Sequence, residues 1–109
     1  MLIRKNPIAK ADGYNSQALV AYAKGDRKTA REAIRQVLKT GTDYAPALQL
    51  AGSVELDLGN LVLAEDALKK VVAALPGDPQ SRQLLTTTYL RSGQIQKARE
   101  SLAVLLKIA

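Results

Sequence analysis

Three glycines, Gly25, Gly59 and Gly93, stand 34 residues apart. The same interval relates Ala30, Ala64 and Ala98, and Ile34, Leu68 and Leu102. It also relates Val37, Val71 and Leu105, then Leu38, Val72 and Leu106, then Tyr22, Leu56 and Leu90. Ungapped columns of this kind mean one unit used three times, at approximately 11–44, 45–78 and 79–109. A unit so short cannot bury both of its faces alone, so the units must stack into one continuous core. Residues 1–10 precede the first unit. Leu2-Ile3-Arg4-Lys5-Asn6-Pro7 reads as the last turn of an upstream helix, so 1–10 is expected to be the tail of an upstream repeat or a linker.

Each unit reads as two helices. In the second unit Leu48, Ala51, Gly52 and Leu56 form an apolar stripe at helical spacing. Gly59 stops that helix, because glycine tolerates the left-handed backbone a C-terminal stop requires. Asn60 stands where the next helix needs an N-cap, and Gly25-Asp26 repeats the pair in the first unit. Leu61, Ala64, Leu68, Val71, Val72 and Leu75 then mark a buried face. Pro76 breaks the helix, Asp78 can cap the following one, and Pro79 suits its first turn. Small residues at 18, 30, 52, 64 and 98 let paired helices approach closely. No segment alternates apolar and polar residues with β-branched bias, so no strand is expected. The fold class is all-α, with about six helices.

Composition narrows the chemistry. Cys and His are absent, which excludes thiolate metal sites, disulfides, thiol nucleophiles and imidazole bases. Glu55 and Asp57 are two apart, and Glu65 and Asp66 are adjacent, so neither pair shares a helix face for acid–base work. The Ser and Thr residues have no base to activate them. No catalytic residue, cofactor or metal is therefore expected. The net charge of +6 is banded: +5 over residues 1–44, −3 over 45–78 and +4 over 79–109. No apolar run is long enough to span a membrane, and no signal-peptide core opens the chain. The chain is then either cytoplasmic or belongs to a protein whose targeting segment lies elsewhere.

The pattern of a 34-residue helix pair resembles the tetratricopeptide repeat (TPR) family. Counting from Ala45, the family's small residue at position 8 is Gly52, its Ala at 20 is Ala64, its apolar residue at 24 is Leu68, and its Pro near 32 is Pro76. Tyr89 and Ala98 match in the third unit. Departures are Tyr14, Leu48 and Arg82 where the family prefers Trp, and Thr86 at the small position. The resemblance covers about 99 of the 109 residues, counted from Ala11 to the end. It implies a right-handed α-solenoid that serves as a non-catalytic protein–protein interaction scaffold. It also implies a concave groove lined by the first helices, taking a peptide or protein segment. The residues it places there are Asn15 and Tyr22, then Gln49, Ser53 and Leu56, then Gln83, Thr87, Leu90 and Arg91. Amides and hydroxyls there can bond an extended backbone, with Tyr22, Leu56 and Leu90 offering apolar pockets. The alternative is that several of them pack between adjacent units. A carboxylate clamp of the kind some members carry would fall on Asn15, Leu19, Leu50, Gln80 and Leu84, which include no cation.

Two stretches, Tyr44-to-Asn60 (YAPALQLAGSVELDLGN) and Leu84-to-Ala98 (LLTTTYLRSGQIQKA), are similar to TPR-repeat lipoproteins of bacterial PEP-CTERM/exosortase sorting and exopolysaccharide loci. That similarity implies a piece of a longer lipoprotein in the periplasm or cell envelope. Within it the chain is either a groove-binding scaffold or a structural spacer or self-assembly segment with no specific groove ligand.

Two further features stand outside the groove. Arg27, Arg31, Arg35 and Lys39 recur every four residues, a basic stripe that suits an acidic partner, an anionic membrane surface or nucleic acid, or is simply a solvated outer face. No aromatics interleave with it, so nucleic acid is not an expected partner. Leu102, Leu105, Leu106 and Ile108 form an apolar stripe on the last helix with no polar cap after it. Self-association through that stripe, or cover by a next repeat, is expected.

Overall fold

Each helix pair turns at one of the three periodic glycines. Gly25, Gly59 and Gly93 have φ of 81°, 81° and 77°, the left-handed region that a side chain would strain. The amide after each glycine reaches back five residues: Asp26 to the Ala21 carbonyl (2.8 Å), Asn60 to Glu55 (2.8 Å) and Gln94 to Tyr89 (2.9 Å). The glycine amides bond Tyr22, Leu56 and Leu90. This is a Schellman closure made three times. The computed structural model describes residues 7–39 and 44–108, with side chains from residue 12 onward.

The helices are α1 (Pro7–Ala23), α2 (Arg27–Leu38), α3 (Ala45–Asp57), α4 (Leu61–Ala74), α5 (Pro79–Arg91) and α6 (Ile95–Ile108). No strand occurs among the described residues. Residues 1–6 of the expected tail lie outside the described residues, while Pro7 to Lys10 are the opening of α1. Asp26 caps α2 by accepting from the Thr29 amide at 3.1 Å, and Asp78 caps α5 by accepting from the Ser81 amide at 3.1 Å. Asn60 holds the cap position of α4 but makes no side-chain cap bond. Its Nδ2 donates to the Glu55 carboxylate of α3 at 2.8 Å, a charge-assisted bond.

Packing follows the columns. Ala18, Ala30 and Ala64 are fully buried and Ala98 is 3% exposed. A core of Ala18, Ala30, Ile34, Leu50, Val54 and their neighbours joins α1 to α4, and Leu68, Leu85, Tyr89 and Ala98 continue it through α6. Ala64, Leu68 and Val71 are buried as expected, with Leu61 and Val72 half-buried. Leu75 is exposed, because it sits at the C-cap, where the backbone has left the helical path. Each helix packs on its pair mate, and α2 and α4 also pack on the first helix of the following unit. Consecutive first helices, α1 with α3 and α3 with α5, touch, whereas α2, α4 and α6 do not touch one another. The stack is therefore tighter on the first-helix side, which is its concave face. Its extents are 50 × 26 × 20 Å, and its radius of gyration is 14.4 Å. A compact domain of this length would have about 13 Å, so the molecule is an elongated α-solenoid.

Candidate functional site

The nine expected groove residues all lie on the first helices, in unequal states. Gln83 and Leu90 are exposed, Leu90 by 55%, and Ser53 and Thr87 are half-buried. Leu19, on the same row as Ser53 and Thr87, is 51% exposed. The other five are buried or bonded in the joints, Arg91 while still exposed. Leu56 is buried, and the Arg91 guanidinium donates to the Leu56 carbonyl at 3.0 Å. Gln49 donates to Asp78 (3.0 Å) and Ser81 (2.9 Å). The Tyr22 hydroxyl donates to Asp57 at 2.8 Å. Asn15 is buried, and its Oδ1 has no hydrogen-bond partner among the described residues.

The joints between units thus use groove residues, and they differ in chemistry. The first joint is ionic. Arg31 pairs with Glu55 at 2.9 Å, Glu55 also accepts from Asn60, and Asp57 receives both Tyr22 and Arg27, the latter at 3.6 Å. The second joint is built mainly from amides: Gln49 on Asp78 and Ser81, and Gln94 on Glu65 at 2.7 Å. Burial, then the bond to the Asp57 carboxylate, raises the Tyr22 pKa above its ordinary value of 10.0. A bond to the Asp12 carboxylate does the same for Tyr44. The Thr29 side chain and amide lower the Asp26 pKa from 3.8.

The basic stripe does not form one continuous solvated face. Arg27 and Arg31 turn toward α3 and pair with its carboxylates, Arg35 pairs with Glu32 at 3.6 Å, and Lys39 is exposed. Of the terminal apolar stripe, Leu102 and Leu106 are 44% and 72% exposed, and Leu105 and Ile108 are half-buried. A recess of about 210 Å³ opens beside the second joint, lined by Pro46, Gln49, Leu75 and Gln80 among others. Among the described residues no cluster of carboxylates could hold a metal ion, and no helix is long and apolar enough to cross a membrane.

Reasoning from helix faces missed Glu55, Asp57 and Asn60 as joint residues. Glu55 and Asp57 take partners from other helices, some 24 to 35 residues away, and Asn60 bonds Glu55 itself. The signal lay in the repeat itself. Tyr22 bonds the residue 35 ahead, and Arg91 bonds the residue 35 behind, so both joints use the same pair of positions.

A stack of three helix pairs, each closed by the same glycine turn, is what the family comparison recognises. Tetratricopeptide repeat profiles match residues 15–79 and, separately, 55–109. The chain belongs to the tetratricopeptide repeat family. TPR units generally mediate protein–protein interaction and are typically non-catalytic scaffolds. The TPR stack is similar to that in a mutant O-GlcNAc transferase from Thermobaculum terrenum. The TM-score is 0.86 at 29% identity, over 94% of this chain and 20% of that one. It is also similar in fold to the MamA protein, with a TM-score of 0.82 at 21% identity, over 90% of this chain and 54% of that one. The chain therefore spans about a fifth and about half of these proteins. No curated protein matches it.

Proposed function

We propose that the concave face binds an extended, largely uncharged segment of a partner protein, and that the chain itself catalyses nothing. The observation that carries this reading is the division of the groove. Asp57 and Arg91 each take part in a joint bond while staying exposed, and Leu19, Ser53, Gln83, Thr87 and Leu90 are exposed or half-exposed. What a ligand meets is thus mainly a row of hydroxyls, an amide and two leucines, with the joint-bonded Asp57 and Arg91 exposed beside them and the recess at Pro46 and Gln80 nearby. Such a row can bond a peptide backbone and accept alternate apolar side chains. Units 11–44, 45–78 and 79–109 are the binding modules on this reading, with 1–10 as a tail or linker. The two stretches similar to PEP-CTERM/exosortase lipoproteins support a partner in bacterial envelope sorting or exopolysaccharide export.

The test is selection of peptides from a random library on the immobilised chain, with affinities measured by fluorescence anisotropy. Leu90→Asp and Gln83→Ala together should weaken selected peptides by about tenfold or more. Gln49 is a poor choice for this purpose, because its amide bridges Asp78 and Ser81. Peptides that bind the double variant as well as the original chain would refute the groove assignment. The joint bonds of Tyr22, Gln49 and Arg91 favour a second reading, a stiff spacer in a longer lipoprotein. Selection that yields no peptide would favour it.

A further inference from the structure

Every TPR unit in this stack has two unlike faces. In the joints, the second helix of one unit seats on the first helix of the next. Val54 and Thr88 lie in those seats with no exposure. The residue one period earlier, Val20, is 55% exposed. The opposite face shows the same contrast. Ile34 and Leu68 are 3% and 0% exposed, whereas Leu102, the third member of their column, is 44% exposed. The chain thus carries, on α1 and on α6, both halves of a joint it makes twice internally.

The α1 half is already shaped as a seat. A recess of about 490 Å³ is lined by Ser16, Val20, Ala21 and Asp26, among others. These four stand 34 residues before Leu50, Val54, Glu55 and Asn60. Leu50 and Val54 share a core with Ile34 of α2, and Glu55 takes the ion pair from Arg31. The recess corresponds to the surface on which α2 lies in the first joint, and among the described residues no helix covers it.

One ion pair is available across the match, although both units carry net positive charge. In the first joint Arg31 of α2 enters the Glu55–Asn60 corner, and in the second Glu65 of α4 meets Gln94. Arg99 of α6 is the third member of the Arg31 and Glu65 column, and Asp26 is the first member of the Asn60 and Gln94 column. Repeating the joint sets the Arg99 cation opposite the Asp26 carboxylate. It also sets Ile95 opposite Ala23, where the first joint pairs Arg27 with Asp57.

We propose that a second copy of this chain docks head to tail, with α6 of one copy seated on α1 of the next. The contact is heterologous, so it leaves a free face at each end and can extend. Its test is separate from that of the groove reading, because Val20 and Leu102 are not groove residues, although Gln83 and Leu90 stand one period after the joint residues Gln49 and Leu56.

Two capping variants test it. Val20→Glu spoils only the α1 seat, and Leu102→Glu spoils only the α6 face. Both replace exposed side chains with a good helix former, so both should fold, as circular dichroism will check. In sedimentation velocity, the mass of the unaltered chain should rise with concentration. Each variant alone should associate about tenfold or more weakly. An equimolar mixture should form a pair and stop there, because each variant retains the half the other lacks. An unaltered chain that stays monomeric at every concentration overturns the proposal and assigns these faces to another partner. So does a Val20→Glu variant that still dimerises alone, which would mean α6 packing on α6. A mixture that fails to pair overturns it equally.

Discussion

Gly52 shows how little room separates the helices of a pair. A Cβ built there would stand 2.4 Å from Leu68 Cγ, and Leu68 is fully buried. Alanine would gain about 1 kcal/mol of helix propensity, but the crowding of a packed core costs about 1–3 kcal/mol. Because the clash falls on a branch carbon with nowhere to move, we expect Gly52→Ala to lose about 1–2 kcal/mol net. Urea unfolding measures it. The same column holds Thr86 in the third unit, where the hydroxyl bonds Ser101 at 2.7 Å. Tyr22 makes a different expectation at this scale. Its pKa is raised by burial and by the Asp57 bond, so its contribution to stability is complete below the ordinary value of 10.0. That contribution is lost as pH rises through the higher folded value. Alkaline denaturation followed by circular dichroism should show this loss, and Tyr22→Phe should flatten it. An unchanged profile in Tyr22→Phe would remove Asp57–Tyr22 from the account of the first joint.

Between helices, the first joint depends on a carboxylate that is costly to leave alone. The Glu55 side chain is 12% exposed and that of Arg31 34%. Arg31→Met strands the Glu55 charge, which we expect to cost about 1–3 kcal/mol. Glu55→Gln in the same background should recover part of the loss, with a coupling of about 1–2 kcal/mol in a double-mutant cycle. Additive effects would mean that Asn60 alone satisfies Glu55. The helices themselves were legible from spacing. Gly25, Gly59 and Gly93 announce the turns, and burial of Ala30, Ala64 and Ala98 follows from their column. The states of the groove residues were not. Whether Gln49 or Leu56 is free depends on Ser81 and Arg91, which no local pattern on α3 contains. Leu75 was misplaced for a related reason: helical spacing was carried one residue beyond the helix.

Across the whole molecule, stability should grade from the middle outward. Only α3 and α4 have a helix pair on either side, while α1 and α6 each leave a face uncovered among the described residues. Solenoids sum unit and neighbour terms, so the ends open first. Amide hydrogen exchange should be slowest in α3 and α4 and fastest in α6 and the start of α1. Uniform exchange across all six helices would instead mark a single cooperative block. The one-sided contact between units has a mechanical side as well. The first helices bear on each other like the hinged edge of a fan, and the second helices stand clear like its free ribs. A load that spreads or closes the ribs meets no direct abutment between them. Bending that spreads or closes them is resisted only through the packing of α2 on α3 and of α4 on α5.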